Sequence, residues 1–311
     1  MIPSGEAMLR VSGLERSFGP LRALDGIDLQ VAEGELFGLV GPDGAGKTTL
    51  LRILSGVLRP SAGDVRVMGT DMARDPEAVK PHLAYMAQRF GLYEDLTVQE
   101  NLDFYADLFG VPRAGRSERE DRLFQFSGLA PFRDRLAGAL SGGMKQKLGL
   151  SCALIHQPRL LLLDEPTFGV DPISRRDLWL ILHEMVADGI TVVVSTAYMD
   201  EAERCDRVAL LDKGAVLDLD APARLQERLE GRILSLQVPD PRTVRDALRA
   251  EGILCALFGE TLHVEMPHPG FREEVETRLR AAGISHFQAD LVRPSLEDVF
   301  VHRVRRESVH V

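Results

Sequence analysis

The run Gly41-Pro42-Asp43-Gly44-Ala45-Gly46-Lys47-Thr48-Thr49 fits the pattern G-x-x-x-x-G-K-[ST]. Its glycines let successive backbone N–H groups turn inward around phosphate oxygens. A helix beginning at the lysine adds positive potential from its N-terminus. Lys47 is then placed to reach β- and γ-phosphates, and the Thr48 hydroxyl to ligate Mg²⁺. The bland alternative is a glycine-rich turn between a strand and a helix. The flanks favour the phosphate loop: the apolar run Leu36-Phe37-Gly38-Leu39-Val40 precedes it, and a segment of helical apolar spacing from Thr49 to Leu58 follows.

A second apolar run, Leu160 to Leu163, ends in Asp164-Glu165. Alone, two carboxylates at a strand end are most simply solvated. Beside a phosphate loop they become the other half of a nucleotide site. Asp164 suits the Mg²⁺ shell, through water, and Glu165 can polarise an attacking water.

These groups need a scaffold. Apolar and alternating runs at 8–12, 21–31 and 35–40 predict strands, and apolar spacing predicts mainly helix over 92–136. Further on come a helix entered at Ser141, the strand 160–164, a helix from Pro172 to Val186, the strand 190–195, a helix and the strand 207–212. Strands alternating with helices, several of the strands apolar throughout, predict a parallel sheet covered on both faces. After residue 230 the order becomes strand 233–238, helix 241–251, strands 253–258 and 261–266, helix 271–282, strand 284–292 and helix 295–305. That βαββαβ order predicts a small α+β ferredoxin-like domain over 232–311. The expected chain is therefore α/β over 8–230, with a helical subdomain at about 90–150, plus this accessory domain.

A formal net charge of −10 argues against broad nucleic-acid binding, which needs a basic face. Cys152, Cys205 and Cys255 form no C-x-x-C pair, so neither a disulfide framework nor a zinc site is expected. The N-terminal stretch has no basic start with an apolar core, and no apolar run approaches the ~18 residues of a membrane span. Work at a membrane would need another chain to supply the span.

Leu140-Ser141-Gly142-Gly143-Met144-Lys145-Gln146 reads as a helix entry, with Ser141 capping. The Gly142 and Gly143 amides beside that hydroxyl also make a second phosphate cradle. Here the chain resembles the ATP-binding subunit of an ABC transporter, of the exporter and drug-resistance branch. The segment matches that family's signature motif, Gln88 matches its Q-loop, Asp171 its D-loop, and Phe18 holds the place of the aromatic that stacks on adenine. The resemblance covers about residues 8–230 and implies a mixed sheet core. It implies ATP and Mg²⁺ as ligands, with Thr48, Gln88 and Asp164 around the metal and Gln88, Lys47 and Glu165 around the reacting water. It further implies a second nucleotide-binding domain, like or unlike, facing this one so that each ATP lies between one phosphate loop and the other's signature motif. Integral-membrane permease subunits complete the expected assembly, at the cytoplasmic face of the membrane, with 88–110 as the coupling surface. The wording GPDGAGKTTL is most similar to the N-terminal half of certain tandem ATPases.

One position departs from the family. Where it has Thr-His-x-Met-x-Glu-Ala, this chain has Thr196-Ala197-Tyr198-Met199-Asp200-Glu201-Ala202. Alanine can neither donate, accept nor carry charge. The expected site therefore hydrolyses slowly, waits for an unlike partner domain, or signals by occupancy as a regulatory module. A nucleic-acid-acting relative is the remaining alternative, disfavoured by the short interval between Lys47 and Ser141, which leaves no room for a long coiled coil. His263 and His268 are expected to be solvated rather than metal ligands.

Overall fold

The computed structural model describes residues 7–89, 91–229, 231–268, 270–284 and 286–308. Its contacts divide the chain into two compact units, Met1–Leu219 and Asp220–Val311. The helix Pro222–Glu227 falls in the second.

The first unit carries strands β1 Ala7–Phe18, β2 Leu21–Ala32, β3 Leu36–Val40, β4 Ala62–Val67, β5 Thr70–Asp71, β6 Leu83–Met86, β7 Leu160–Asp164, β8 Thr191–Thr196, β9 Arg207–Asp212 and β10 Ala215–Asp220. Its helices are α1 Lys47–Leu54, α2 Val98–Leu108, α3 Arg116–Ser127, α4 Gly142–Leu154, α5 Pro172–Ala187 and α6 Met199–Ala202. The main sheet has the order β10-β9-β3-β8-β7-β6. Every residue of β3, β7 and β8 is buried, and these strands pair in parallel. Two covered faces explain why their central residues, Leu36 to Val40, Leu160 to Leu163 and Val192 to Val194, form continuous runs with no polar alternation. Leu160 to Leu163 are all 0% exposed, and each such leucine contributes about 2 kcal/mol of burial.

The register decides where the chemistry goes. Val40 stands beside Thr196, and Asp164 beside Ser195. The phosphate loop, the paired carboxylates and the tip of β8 thus leave the same edge, the carboxyl ends of the strands, where open α/β sheets bind ligands.

The sequence expectation of one parallel sheet is corrected in part. The long strands β1 and β2 belong to a separate antiparallel sheet of order β2-β1-β4-β5, one face of which packs Leu9, Val11, Leu14, Leu24 and Ile27 into the shared core. Strands β4 to β6 have no counterpart in the sequence reading. They span two to six residues each, too few to show a periodicity.

Helices α2, α3 and α4 form the predicted helical region around Leu102, Phe124 and Leu148. A capping box starts α2, with Thr97 and Glu100 satisfying each other's backbone N–H groups.

The second unit contains α7 Pro222–Glu227, β11 Ile233–Gln237, α8 Pro241–Ala250, β12 Cys255–Phe258, β13 Thr261–Glu265, α9 Phe271–Ala281, β14 Gln288–Leu291 and α10 Leu296–Ser308. Its sheet is antiparallel with order β12-β13-β11-β14. Strands β11 and β12 are therefore parallel with β13 between them, the split βαβ pattern that the element order predicts. His263 does not stand solvated, as expected from the sequence. It stacks on Phe258 at 4.3 Å between centroids, and its Nδ1 lies 2.8 Å from Asp298 Oδ1. Strand alternation turns it toward α10, which single-residue polarity does not reveal. His268 stays exposed.

Candidate functional site

Gly41 opens the turn after β3 because nothing larger fits: a Cβ there would stand 2.2 Å from the Leu211 carbonyl oxygen. Gly44 and Gly46 take φ of +80° and +104°, which residues with a Cβ rarely adopt. The loop closes on itself through Ala45 N–H donating to Pro42 O at 3.2 Å, and α1 begins at Lys47.

Lys47 is buried. Its ammonium donates to Gly41 O at 2.6 Å and Pro42 O at 3.0 Å, and lies 3.2 Å from Glu165 Oε1. The other Glu165 oxygen accepts from Gln88 Nε2 at 3.0 Å. Glu165 has φ of +48°, a left-handed conformation costing a residue with a Cβ about 1 kcal/mol. It turns the chain off the end of β7 and aims the carboxylate at the loop.

Asp164, one residue back, is 2% exposed. Its Oδ1 accepts from Thr48 Oγ1 at 3.0 Å and Ser195 Oγ at 2.8 Å, and its Oδ2 from Tyr85 at 3.3 Å. Burial first, then the Asp164 charge, pushes the Tyr85 phenol above its ordinary value, so it stays a donor.

Lys47, Thr48, Gln88 and Glu165 border one cleft of ≈430 Å³, whose lining also includes Phe18 and Asp43 to Gly46; Asp164 lies behind it, bonded to Thr48. Phe18 is exposed at its rim, with the Arg16 guanidinium over its ring at 4.6 Å. Arg22 and Lys213 also line the cleft. The sequence reading did not single them out, since neither sits in a motif; the Lys213–Gly214 turn comes close because Gly214 N–H bonds Ala45 O at 3.1 Å.

Ser141, Gly142, Gly143 and Asp171 are placed together, but away from the described lining of that cleft. Ser141 caps α4, accepting from Met144 N–H at 3.3 Å. Asp171 caps α5, accepting from Ile173 and Ser174 N–H at 3.1 and 2.9 Å; the Ser174 bonds hold its carboxyl below the usual range. Gly143 packs on α5 so closely that a Cβ would lie 2.4 Å from Ser174 Cβ.

Ala197 is exposed at the tip of β8. Tyr198 beside it turns its ring under the Arg175 guanidinium, 4.4 Å away. Beneath them the carboxylate of Glu201, 1% exposed, accepts from Thr167 Oγ1 at 2.9 Å and Thr196 Oγ1 at 2.7 Å, and lies 3.4 Å from Arg175 Nε. That cluster ties the D-loop segment to the end of β8, and its partners come from three separate stretches of sequence.

A parallel sheet that sends a glycine-rich loop, a lysine and two carboxylates to one edge is a P-loop nucleotide-binding cassette. The particular family follows from comparison with known proteins. A family model described as "ABC transporter" matches residues 24–168. The chain is 40% identical over 302 residues to the probable multidrug ABC transporter ATP-binding protein YbhF of Escherichia coli (strain K12), with 95% of this chain aligned but only 52% of that one. It is 35% identical over 305 residues to the daunorubicin/doxorubicin resistance ATP-binding protein DrrA of Streptomyces peucetius, covering 94% of this chain and 91% of that one. A solved structure described as the ATP binding subunit of an ABC transporter superposes with a TM-score of 0.65 at 30% identity, over 71% of this chain and 92% of the other. The chain belongs to the ABC transporter ATP-binding family. It spans about half the length of the first of these relatives.

Proposed function

We propose that this chain binds and hydrolyses ATP to power an export system, driving permease subunits through the closure of two nucleotide domains. The observation that carries the reading is the convergence of Lys47, Gln88 and Glu165 at the mouth of one phosphate-loop cleft. The names of the relatives support export, with drugs among the cargo classes.

Lys47 gives up the Gly41 and Pro42 carbonyls to hold β- and γ-phosphate oxygens. Glu165 then takes the proton of the attacking water, with Gln88 keeping that water and the carboxylate in line. The oxygen donors Thr48, on the cleft wall, and Asp164, buried behind it, suit a hard divalent cation and would hold Mg²⁺. When bound, Mg²⁺ neutralises charge on the phosphate oxygens. Phe18 offers its face to the adenine.

Ser141, Gly142 and Gly143 form a cradle outside the cleft of their own chain, which supports their facing the γ-phosphate of a second nucleotide domain. Tyr93, Phe104, Leu108 and Phe109 are exposed before, on and just after α2 and make an apolar seat for a permease segment. The names of the relatives, ATP-binding proteins of ABC transporters, support a peripheral assembly on the cytoplasmic face with the permease supplying the span; no described helix is long and apolar enough to cross a membrane.

One observation favours a second reading, a regulatory module with little turnover. Ala197 leaves the tip of β8 without the polar group that would hold the water from the opposite side.

Capture of the tagged chain from detergent-solubilised native membranes, followed by ATP hydrolysis on the captured complex, tests both. A co-purifying integral-membrane partner and Glu165-dependent phosphate release are expected. Recovery of no such partner would sink the transporter reading, and ATP binding without release would favour the regulatory one.

A further inference from the structure

Strand β8 has nothing polar at Ala197, yet two residues earlier it carries a hydroxyl that the family resemblance does not point to. Ser195 is 0% exposed and follows three buried valines, Val192 to Val194, in that strand. A buried hydroxyl costs free energy unless its bonds are made, and both of its bonds go to the carboxylate pair. Its Oγ donates to Asp164 Oδ1 at 2.8 Å and accepts from Glu165 N–H at 3.0 Å.

The two bonds do different things. The first fixes the rotation of the Asp164 carboxylate, leaving Oδ1 shared with Thr48, the other oxygen donor at the metal position. The second satisfies an amide that the strand ladder no longer serves, because Glu165 has left the extended conformation for φ of +48°. Removing the hydroxyl would leave the Glu165 amide orphaned and that turn less well determined.

We propose that Ser195 is a positioning residue whose single hydroxyl holds the metal-facing Asp164 and the water-activating Glu165 in register. The inference rests on the ATP-hydrolysis reading and adds to it a residue outside the phosphate loop, Q-loop and signature segments.

The test is Mn²⁺ binding to the full chain with a non-hydrolysable ATP analogue, read by electron paramagnetic resonance beside steady-state turnover. Ser195→Ala is expected to weaken Mn²⁺ about 10–100-fold, as lost outer-shell partners do at other metal sites. Analogue affinity measured without metal should stay as in the parent, and kcat should fall with little change in KM. Ser195→Thr, which keeps the hydroxyl, should recover most of the Mn²⁺ affinity. If Ser195→Ala does not fold, Ser195→Cys, of similar shape but a weak donor, carries the same comparison. Unchanged Mn²⁺ affinity in the folded variant, with or without a lower Tm, overturns the proposal, and so does a parent chain that binds no Mn²⁺ with the analogue. A parent that binds both but releases no phosphate defeats the hydrolysis reading alone, and the Mn²⁺ comparison still decides Ser195.

Discussion

The Lys47 ammonium and the Glu165 carboxylate face each other at 3.2 Å, with side chains 4% and 13% exposed. Neither group would stay there alone, since an unpaired charge at such depth is costly. The pair therefore holds both charges beside the cleft; under the proposed function, incoming phosphates would compete for the lysine and release the carboxylate to the reacting water. Glu165→Gln keeps the Gln88 contact and the shape of the site but cannot take a proton. Its phosphate release should drop by about 10²–10⁴-fold while fluorescent-nucleotide affinity holds. Turnover equal to the parent's would remove Glu165 from the role.

Restoring an imidazole tests what the tip of β8 lacks. Ala197 is exposed, so a larger side chain has room, and Tyr198 is already engaged by Arg175. Where one positioned polar group is worth about 10²–10³ in rate, Ala197→His should raise turnover by up to that factor in the complex captured from native membranes. No gain there would mean the shortfall lies elsewhere in the site.

What the sequence made legible follows from how much of each constraint is local. The phosphate loop is readable because its glycines answer to φ values and close approaches inside nine consecutive residues. Strands β3, β7 and β8 are readable because burial on two faces gives each a continuous apolar run at its centre. The partners of Asp164 are another matter. Tyr85 and Ser195 reach it from strands on either side of β7, so their role depends on register, which no single stretch encodes. The cluster around Glu201 and the pairing of His263 with Asp298 were hidden for the same reason. Strands β1 and β2 were visible as strands, but their sheet was not, because alternation gives a face and not a neighbour.

Gly143 carries a packing prediction as well as a chemical one. A methyl group there must displace the first turn of α5 at Ser174, and overpacking of this kind costs about 1–3 kcal/mol. Gly143→Ala should lower the urea midpoint accordingly, and Ser174→Gly in the same chain should recover part of it, since it removes both atoms that the new Cβ would meet. Equal losses in the single and double variants would show that the contact is not the cause.

Asp298 ties α10 to the sheet of the second unit and should make that attachment acid-labile. Burial raises its carboxyl, but bonds from His263 and from the Ser295 amide and hydroxyl outweigh burial and hold it below the usual range. For a carboxylate lowered in the folded state, the stabilisation is complete above the unfolded value of about 3.9. It is lost as pH falls through the lower folded value, because the unfolded chain binds the proton first. Hydrogen exchange over β13 and α10 should therefore quicken as pH is taken from about 5 toward 3, after correction for the intrinsic rate. Asp298→Asn should exchange faster than the parent at pH 7 and lose most of that acid dependence. An acid response in Asp298→Asn as steep as the parent's would assign it to another carboxylate.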